Sequence, residues 1–187
     1  MDITIVRHAE SEYNRDGIWA GRADCALTQK GIEAAQELGK TLDTNFDVIY
    51  CSPLKRTKQT LFAIVPDADP VYDDRIIEIS IGEWENTNKS LYSEQQRELF
   101  RKGLLVPPGA ESHKDVDKRV CSFLSDVFEK YKEDERILVV THAGVIHSIK
   151  RSFLNITKNI QPSNLDTLVL TPEDYKNYLY RMQESER

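Results

Sequence analysis

The sequence is poor in cysteine, with three among its 187 residues and no Cys-x-x-Cys pair. An odd number of scattered cysteines argues against a disulfide framework and against a thiolate metal site. Cys25, Cys51 and Cys121 are therefore predicted to be small core residues with free thiols. For Cys51, which ends a strand-like run, a nucleophilic role is the alternative, but no basic residue directly follows it to activate the thiol.

The sequence also lacks long apolar runs and an excess of basic residues. Runs such as 137–140 are far too short to cross a bilayer, and the first residues have neither the basic start nor the apolar stretch of a signal peptide. We therefore expect a cytoplasmic protein with no membrane partner. With 25 Lys and Arg against 31 Asp and Glu, the formal charge of −6 argues against a nucleic-acid partner but allows a local basic pocket.

Strand and helix signals alternate along the chain without any compositionally biased tract. Three short β-branched runs predict strands buried on both faces, at 3–6, 48–51 and 137–140. Apolar residues at helical spacing predict helices at 32–42, 54–64, 116–131, 145–155 and, more weakly, 88–102. This pattern predicts an α/β fold: one three-layer domain over residues 1–187, with helices on both faces of a mostly parallel central sheet.

Two local expectations concern element ends. Ser52 and Pro53 predict a helix that begins there, with Ser52 as the N-cap and Pro53 at the first helical position. The segments 166–170 and 178–182 predict either a strand pair or a strand followed by a frayed tail.

Polar residues follow the predicted central strands at the points where those strands end. Arg7 and His8 follow the first strand, Arg56 follows the second, and His142 follows the late one. Ligands of open α/β sheets bind outside the carboxyl ends of parallel strands, so these side chains are expected to converge. Singly, each residue is explained by capping, packing or solvation; together, their like charges favour an anion such as a phosphoryl group. A neutral imidazole can also attack phosphorus.

Several motifs, in order, resemble those of the histidine phosphatase superfamily, the phosphoglycerate mutase-like proteins. The first, Arg7-His8-Ala9-Glu10, resembles that family's Arg-His-Gly-Glu signature. The similarity continues through residues 21–31, 52–57, 78–85, 108–112 and 141–144. Because it spans residues 1 to 150 in order, chance is a poor explanation.

The resemblance implies a role for each matching residue. His8 would be the nucleophile, Arg7, Arg56 and His142 would form the phosphate pocket, Asn14 would lie at its edge, and Gly21 and Arg22 would lie at its rim. Glu78 would protonate the leaving oxygen and then deprotonate the attacking water. Glu83 and Glu85 are rival carboxylates, but the family spacing favours Glu78, and the adjacent Ile76 and Ile77 predict the partial burial that suits a general acid.

Other candidate residues receive plainer interpretations. Neither a metal site nor a cofactor is predicted, with His147 taken as a packing residue and His113 as a surface residue at a helix start. Four basic residues form either a lid over the pocket or an exposed helix face: Lys89, Arg97, Arg101 and Lys102.

Ala9 and Ala143 stand where the family most often has glycine, each directly after a pocket histidine. Each adds a methyl group near the phosphate or requires a negative φ. We expect activity to be retained and the fit of the substrate to be affected.

The resemblance predicts a metal-independent phosphomonoester hydrolase that acts through a phosphohistidine on a small phosphorylated metabolite, such as an α-ribazole phosphate or a sugar phosphate. A cofactor-dependent phosphoglycerate mutase is the first alternative; the short stretch between Glu78 and His142, and the few residues after it, favour the phosphatase branch. A non-catalytic module that binds a phospho-ligand is the second alternative, although the catalytic motif residues are all present. The sequence is silent on oligomeric state.

Overall fold

A computed structural model describes residues 1–132, 134–156 and 162–185. Five strands form one sheet: β1 (Asp2–Arg7), β2 (Val48–Cys51), β3 (Val71–Tyr72), β4 (Arg136–Thr141) and β5 (Thr167–Leu170). Their order across the sheet is β3-β2-β4-β1-β5, and only β5 runs antiparallel to its neighbour among the described strands. The predicted α/β fold with a mostly parallel sheet is confirmed.

Seven α-helices flank the sheet in the part of the chain that the structure describes. They are α1 (Glu12–Arg15), α2 (Gln29–Thr41), α3 (Lys55–Ile64), α4 (Glu94–Arg101), α5 (His113–Lys130), α6 (Ala143–Ser148) and α7 (Pro172–Ser185). Short 3₁₀ turns lie at Asp74–Ile76, Gly82–Trp84 and Lys89–Leu91, and a π-helical turn, Ile149–Phe153, continues α6.

The central strands are apolar on both faces because each face carries its own core. Along β4, Ile137 and Val139 belong to the core under α5 and α6, whereas Leu138 and Val140 belong to the core under α2 and α3. Since successive strand residues point to opposite faces, one apolar run supplies both cores.

The start of α3 differs from the prediction. Helix α3 begins at Lys55, and its N-cap residue Leu54 provides no side-chain hydrogen bond. The Lys55 backbone N–H instead donates to the Asp24 carboxylate over 2.6 Å. The N-cap prediction for Ser52 is therefore wrong, because a carboxylate from a distant loop caps this helix and the Ser52 hydroxyl contacts His142.

Two further segments differ in extent or type. Of the weak helix predicted at 88–102, only Lys89–Leu91 and Glu94–Arg101 are helical, because the capping box of Ser93 and Gln96 starts α4 late. The expected strand or frayed tail at 178–182 is wrong: these residues lie in α7, whose Tyr178 stacks on Phe153 with ring centroids 4.6 Å apart. Pro172 at the first position and acidic residues in the first turn favour this helix.

The cysteine prediction holds for two residues. Cys25 and Cys51 are buried, and Cys121 is half-buried. Burial raises the pKa of the Cys51 thiol to about 12, the opposite of what a nucleophile needs. No described helix is long and apolar enough to cross a bilayer.

Candidate active site

The site begins where β1, β2 and β4 end together. Arg7 pairs in register with Thr141, so the histidines that follow these two residues leave the sheet side by side. The His8 backbone N–H donates to the Thr141 carbonyl over 2.9 Å, and the His8 and His142 ring centroids lie 5.3 Å apart. The structure thus brings together the two histidines that the sequence placed at strand ends.

His8 has a defined tautomer and is neutral at pH 7. Its Nδ1 lies 2.7 Å from the Ala9 carbonyl oxygen, which only accepts, so Nδ1 carries the proton and Nε2 carries a lone pair. The ring is 3% exposed, and burial, followed by repulsion from Arg56 and Arg7, holds the pKa of His8 well below its ordinary value. The result is a neutral imidazole with a free Nε2, the form that acts as a nucleophile.

His142 lies fully buried beside it. Its Nε2 contacts the Ser52 hydroxyl at 2.7 Å, whereas its Nδ1 has no hydrogen-bond partner among the described residues. Burial, then repulsion from Arg56 and His8, holds the pKa of His142 well below its ordinary value. If the Ser52 hydroxyl donates to Nε2, Nδ1 carries the proton and is the imidazole donor left for a ligand.

Two guanidinium groups face the histidines. Arg56 is 1% exposed and donates from Nη1 to the Ala23 carbonyl and from Nη2 to the Gly21 carbonyl, both over 2.8 Å. Arg7 donates to the Pro162 carbonyl, and burial lowers the pKa of its guanidinium. Neither arginine forms an ion pair with a carboxylate among the described residues.

The site therefore concentrates positive charge and unpaired donors. Besides Nδ1 of His142, the buried Nε atoms of Arg7 and Arg56 have no hydrogen-bond partner among the described residues. Buried polar atoms are nearly always paired, and each exception requires an explanation. An anion with several acceptor oxygens would pair all of these donors and neutralise both guanidinium charges.

Asn14 lies in α1, directly after the β1 loop. Its Oδ1 accepts from the Ser11 backbone N–H over 3.2 Å and from Asn164 Nδ2 over 3.2 Å. Asn164 also donates to the His8 carbonyl over 3.0 Å, so it ties α1 to the histidine loop. With its oxygen so occupied, the Asn14 side chain presents its amide NH₂ as the remaining group for a ligand.

Glu78 approaches the histidines from the segment before Gly82. Its Oε1 accepts from the backbone N–H groups of Ile79 and Gly144, both over 3.0 Å, and Gly144 lies two residues beyond His142. The side chain is half-buried. A Cβ on Gly144 would lie 2.3 Å from Oε1 of Glu78, so the absence of a side chain there is what permits the approach.

The rival carboxylates are used elsewhere. Glu83 is exposed, and Oε1 of Glu85 accepts from the backbone N–H groups of Arg22 and Ile81. Gly21 packs against Glu85 with φ +49°, a backbone conformation that favours glycine, and a Cβ there would lie 2.5 Å from Glu85 Oε1. Gly21 and Arg22 thus belong to a loop that contacts Glu85, and the Gly21 carbonyl accepts a hydrogen bond from Arg56.

A cavity of about 620 Å³ adjoins this site, with Glu78, Ala143 and Gly144 in its wall. Its apolar lining includes Trp19, Ile79, Ile81, Phe100 and Val116. Its cationic lining includes Lys89, Arg97, Arg101, Lys102, Lys150 and Arg151. Glu78 is the one carboxylate among the lining residues that the structure describes. Four of the six cations form ion pairs with carboxylates outside the lining: Arg97 and Arg101 with Glu94, Lys102 with Glu98, and Arg151 with Asp117.

The two histidines outside the proposed active site and four basic residues noted in the sequence line this cavity: His113, His147, Lys89, Arg97, Arg101 and Lys102. His113 is half-buried rather than a surface residue, with its ring against Phe100 at 5.9 Å between centroids, and His147 also lines the wall. Lys89 also lines the cavity, and its ammonium group lies 5.2 Å from the centre of the Trp19 ring. Burial, followed by repulsion from Arg7, lowers the pKa of this ammonium group. All four basic residues for which the sequence left a lid and an exposed helix face as alternatives line this cavity, and Lys102 is also exposed.

The two alanines that replace the family's glycines differ in position. Ala9 is fully buried, and its backbone N–H donates to the Thr60 hydroxyl over 3.0 Å. Ala143 opens α6 and lines the cavity. Neither has a positive φ. No group of three or more His, Cys, Asp or Glu side chains in the described ranges could hold a metal ion.

Sequence reasoning missed three residues that shape the site. Ser52 was predicted to be a helix cap and lies in one of the motifs similar to the family's, but its contact with His142 was not predicted. Asn164 gave no signal because it lies 156 positions from the carbonyl it binds. Glu111 belongs to a motif similar to the family's, but its contacts with Arg22 and Arg119 could not be read from spacing.

Comparison with known proteins gives consistent matches over most of the chain. Residues 3–185 match the family model described as the histidine phosphatase superfamily (branch 1). Phosphoserine phosphatase 1 of Hydrogenobacter thermophilus is 33% identical over 164 residues, 83% of this chain and 77% of that protein. A 2,3-bisphosphoglycerate-dependent phosphoglycerate mutase of Rhizobium etli is 31% identical over 194 residues, 96% of this chain and 90% of that protein.

A solved structure agrees. A histidine-to-alanine mutant of phosphoserine phosphatase from Entamoeba histolytica, crystallised with phosphoserine, superposes with a TM-score of 0.79 and 26% identity, covering 90% of this chain and 89% of that one. The relatives thus include both phosphatases and mutases.

Proposed function

Because the chain belongs to the histidine phosphatase superfamily, we propose that it is a phosphomonoester hydrolase that works through a phosphohistidine on His8 and needs no metal. One observation carries the proposal: buried donors without partners on Arg7, Arg56 and His142 surround an imidazole whose free nitrogen is Nε2. A phosphoryl group supplies the acceptor oxygens that these donors lack and the electrophile that the imidazole attacks.

In the first step, the Nε2 lone pair of His8 forms a bond to phosphorus while the bond between phosphorus and the ester oxygen breaks. Nδ1 keeps its proton and goes on donating to the Ala9 carbonyl oxygen, so the phosphorylated ring is cationic and is stabilised by that hydrogen bond. Arg7, Arg56 and His142 donate to the non-bridging oxygens, where charge develops in the transition state. Asn14 donates from its amide to the same group.

Glu78 supplies and removes the protons. In the first step its carboxylic acid protonates the departing ester oxygen, which leaves as an alcohol. In the second step the Glu78 carboxylate takes a proton from water, the water oxygen bonds to phosphorus, and the bond to Nε2 breaks. Inorganic phosphate leaves, and both His8 and Glu78 return to their starting states.

The leaving group is proposed to lie in the 620 Å³ cavity, because Glu78 stands at the border between that cavity and the histidines. The apolar wall and the cationic side chains suit a small organic group that itself carries negative charge. This class includes phosphorylated carboxylic acids and sugar phosphates with a further anionic group. α-Ribazole phosphate, whose leaving group is uncharged, would rely on the apolar wall alone.

A cofactor-dependent phosphoglycerate mutase is the second candidate, and the 31% identity to the Rhizobium etli mutase favours it. The two reactions share the phosphohistidine and differ in whether water or a hydroxyl of the bound sugar acid accepts the phosphoryl group. The alternative of a binding module differs from both, because it predicts no turnover at all.

The test is phosphate release from a panel of phosphomonoesters in EDTA, with wild type and His8→Ala compared. We expect release by wild type only, together with a mass increase of one phosphoryl group on wild type after rapid quenching. Incubation with 3-phosphoglycerate and a trace of 2,3-bisphosphoglycerate is the second arm. Steady formation of 2-phosphoglycerate without phosphate release would favour the mutase, and no turnover in either arm would favour the binding module.

A further inference from the structure

The segment that carries Glu78 is held by side chains rather than by the sheet. Residues 77–80 lie outside helix and strand. Nevertheless, the four consecutive carbonyls of residues 75–78 each accept a hydrogen bond from a side chain of another element. Such a run of long-range contacts fixes a loop in one conformation without regular structure.

Arg119 of α5 provides the largest share of these contacts. Its Nη1 donates to the Arg75 carbonyl over 2.6 Å and to the Ile77 carbonyl over 2.7 Å. The Thr141 hydroxyl donates to the intervening Ile76 carbonyl over 2.7 Å. Helix α5 and the end of β4, which leads into His142, therefore both donate hydrogen bonds to the carbonyls of residues 75–77.

Arg22 holds the last carbonyl, that of Glu78 itself, through Nε over 3.1 Å. One carboxylate joins the two arginines: Glu111 accepts from Arg119 Nε over 2.8 Å and Nη2 over 3.0 Å, and from Arg22 Nη2 over 3.1 Å. The backbone N–H of Glu111 also donates to the Ser80 carbonyl over 2.9 Å. Glu111 and Arg119 each have a side-chain exposure of 15%, so this pair is shielded from water.

We infer that Arg22, Glu111 and Arg119, the Glu111 network, are positioning residues that aim the carboxyl group of Glu78 at the ester oxygen. The inference rests on the proposed function of Glu78 as general acid. Glu78 is fixed at two points, its backbone carbonyl by Arg22 and its Oε1 by Gly144. Proton transfer in the transition state requires the acid within hydrogen-bond reach of the leaving oxygen, so a small shift of the loop is costly.

The experiment separates aiming from folding by the choice of substrate. Hydrolysis of an alkyl phosphate requires a proton on the leaving oxygen, whereas p-nitrophenyl phosphate has a leaving group that departs without one. In Glu111→Gln, we expect kcat/KM, which reports only the step in which the ester oxygen departs, to fall about tenfold for the alkyl ester relative to the nitrophenyl ester. A loss of folded protein would instead lower both rates by the same factor.

Two comparisons make the test specific. In a Glu78→Gln background, Glu111→Gln should cause no further change in the ratio of the two rates, because the group it aims is gone. Asp43→Asn is the matched control: it breaks a 2.7 Å ion pair with Arg136, which begins β4 at the end of the strand opposite His142, and should leave the ratio unchanged.

Arg22→Gln guards against a folding failure of Glu111→Gln, since the Arg22 side chain is 40% exposed and its loss leaves the α5 contacts intact. The same fall in the ratio is expected. An unchanged ratio in both variants, or an equal further fall in the Glu78→Gln background, would overturn the inference. Full activity of His8→Ala, measured in parallel, would instead overturn the proposed function.

Discussion

The backbone N–H of Gly144 donates a 3.0 Å hydrogen bond to Oε1 of Glu78, so the first turn of α6, directly after His142, and the segment before Gly82 meet at one carboxylate oxygen. This contact couples the proposed phosphate pocket to the proposed general acid. It also depends on glycine, because a Cβ at this position would lie 2.3 Å from that oxygen.

Gly144→Ala should therefore displace the Glu78 carboxyl group. We expect kcat/KM for alkyl phosphate esters to fall about tenfold or more, with a smaller loss for p-nitrophenyl phosphate. Steady-state kinetics on the two esters measure this. Gly17→Ala is the control, since nothing lies within 4 Å of its added Cβ and only its φ of +66° is strained. Equal losses on both esters in Gly144→Ala would contradict the displacement.

Glu78→Ala should lose activity on alkyl esters even more selectively than Gly144→Ala, because the acid itself is removed. Hydrolysis of esters with poor leaving groups should fall about 100-fold or more, whereas the nitrophenyl ester should lose least. A plot of log kcat/KM against leaving-group pKa gives the measurement, and its slope should become steeper in the variant. An unchanged slope would reassign the acid to another residue.

Arg56→Lys should be damaging even though it preserves the charge. Arg56 is buried and uses Nη1 and Nη2 on the carbonyls of Ala23 and Gly21, and an ammonium group cannot hold both and also reach a phosphate. We expect kcat to fall about 100-fold, the scale of one lost donor in an oxyanion site, and the free energy of unfolding to fall by about 1–3 kcal/mol. Kinetics and urea unfolding check both values.

Arg15→Lys is the matched control for that variant, because Arg15 is 56% exposed and, among the residues that the structure describes, forms an ion pair only with the exposed Asp16. Its kinetics should equal those of wild type. Wild-type kinetics in Arg56→Lys as well would show that Arg56 does not contact the transferred phosphoryl group.

Stability should depend on pH through the two buried histidines. In the folded protein the pKa values of His8 and His142 lie well below the ordinary 6.5. Below pH 6.5 the unfolded chain therefore binds protons that the folded chain does not, and the free energy of unfolding decreases as pH falls towards the folded pKa values. Each histidine contributes about 1.4 kcal/mol per pH unit within that window and nothing above it.

Urea unfolding between about pH 7 and about pH 5 measures this slope. In His8→Ala the free energy of unfolding should change less steeply with pH, by about 1.4 kcal/mol per pH unit, because one of the two histidines is gone. Inorganic phosphate should also reduce it, since a bound dianion favours the protonated imidazoles. Identical slopes in wild type and His8→Ala would contradict the neutral state of His8.

Lys89→Met should change substrate preference rather than chemistry. Lys89 borders the cavity near Arg7, and among the described residues no carboxylate pairs with its ammonium group. We expect kcat/KM to fall about tenfold for esters whose leaving group carries a carboxylate or second phosphate, and to change little for p-nitrophenyl phosphate. Lys114→Met, on the exposed side of α5, is the control. Equal changes for both classes of ester would show that Lys89 does not recognise negative charge on the leaving group.

The parts of the fold that were predictable are those determined by local pattern. The strand 137–140 is apolar at every position because it faces two cores, and the polar residues at strand ends follow from the topology of a parallel sheet. For that reason the sequence alone predicts that His8 and His142 lie close together. Their proximity is observed, whereas their catalytic roles stay proposals.

The errors arose where a distant residue decides a local structure. Helix α3 begins at Lys55 because Asp24, 31 positions earlier, caps it, so the Ser-Pro signal at 52–53 was misleading. Segment 178–182 is helical because Tyr178 stacks on Phe153, a contact that no short window contains. Likewise, the contacts of Glu111 join loops far apart in sequence.

The antiparallel strand β5 has a consequence for when the site forms. The segment leading into it supplies the Pro162 carbonyl to Arg7, 155 positions earlier, and Asn164 to the His8 carbonyl. During translation, β1 to β4 and the helices between them emerge from the ribosome before this segment does. A nascent chain stalled before residue 162 would thus hold both histidines yet lack two of the contacts that fix them, so these contacts form only after residues 162–164 have emerged.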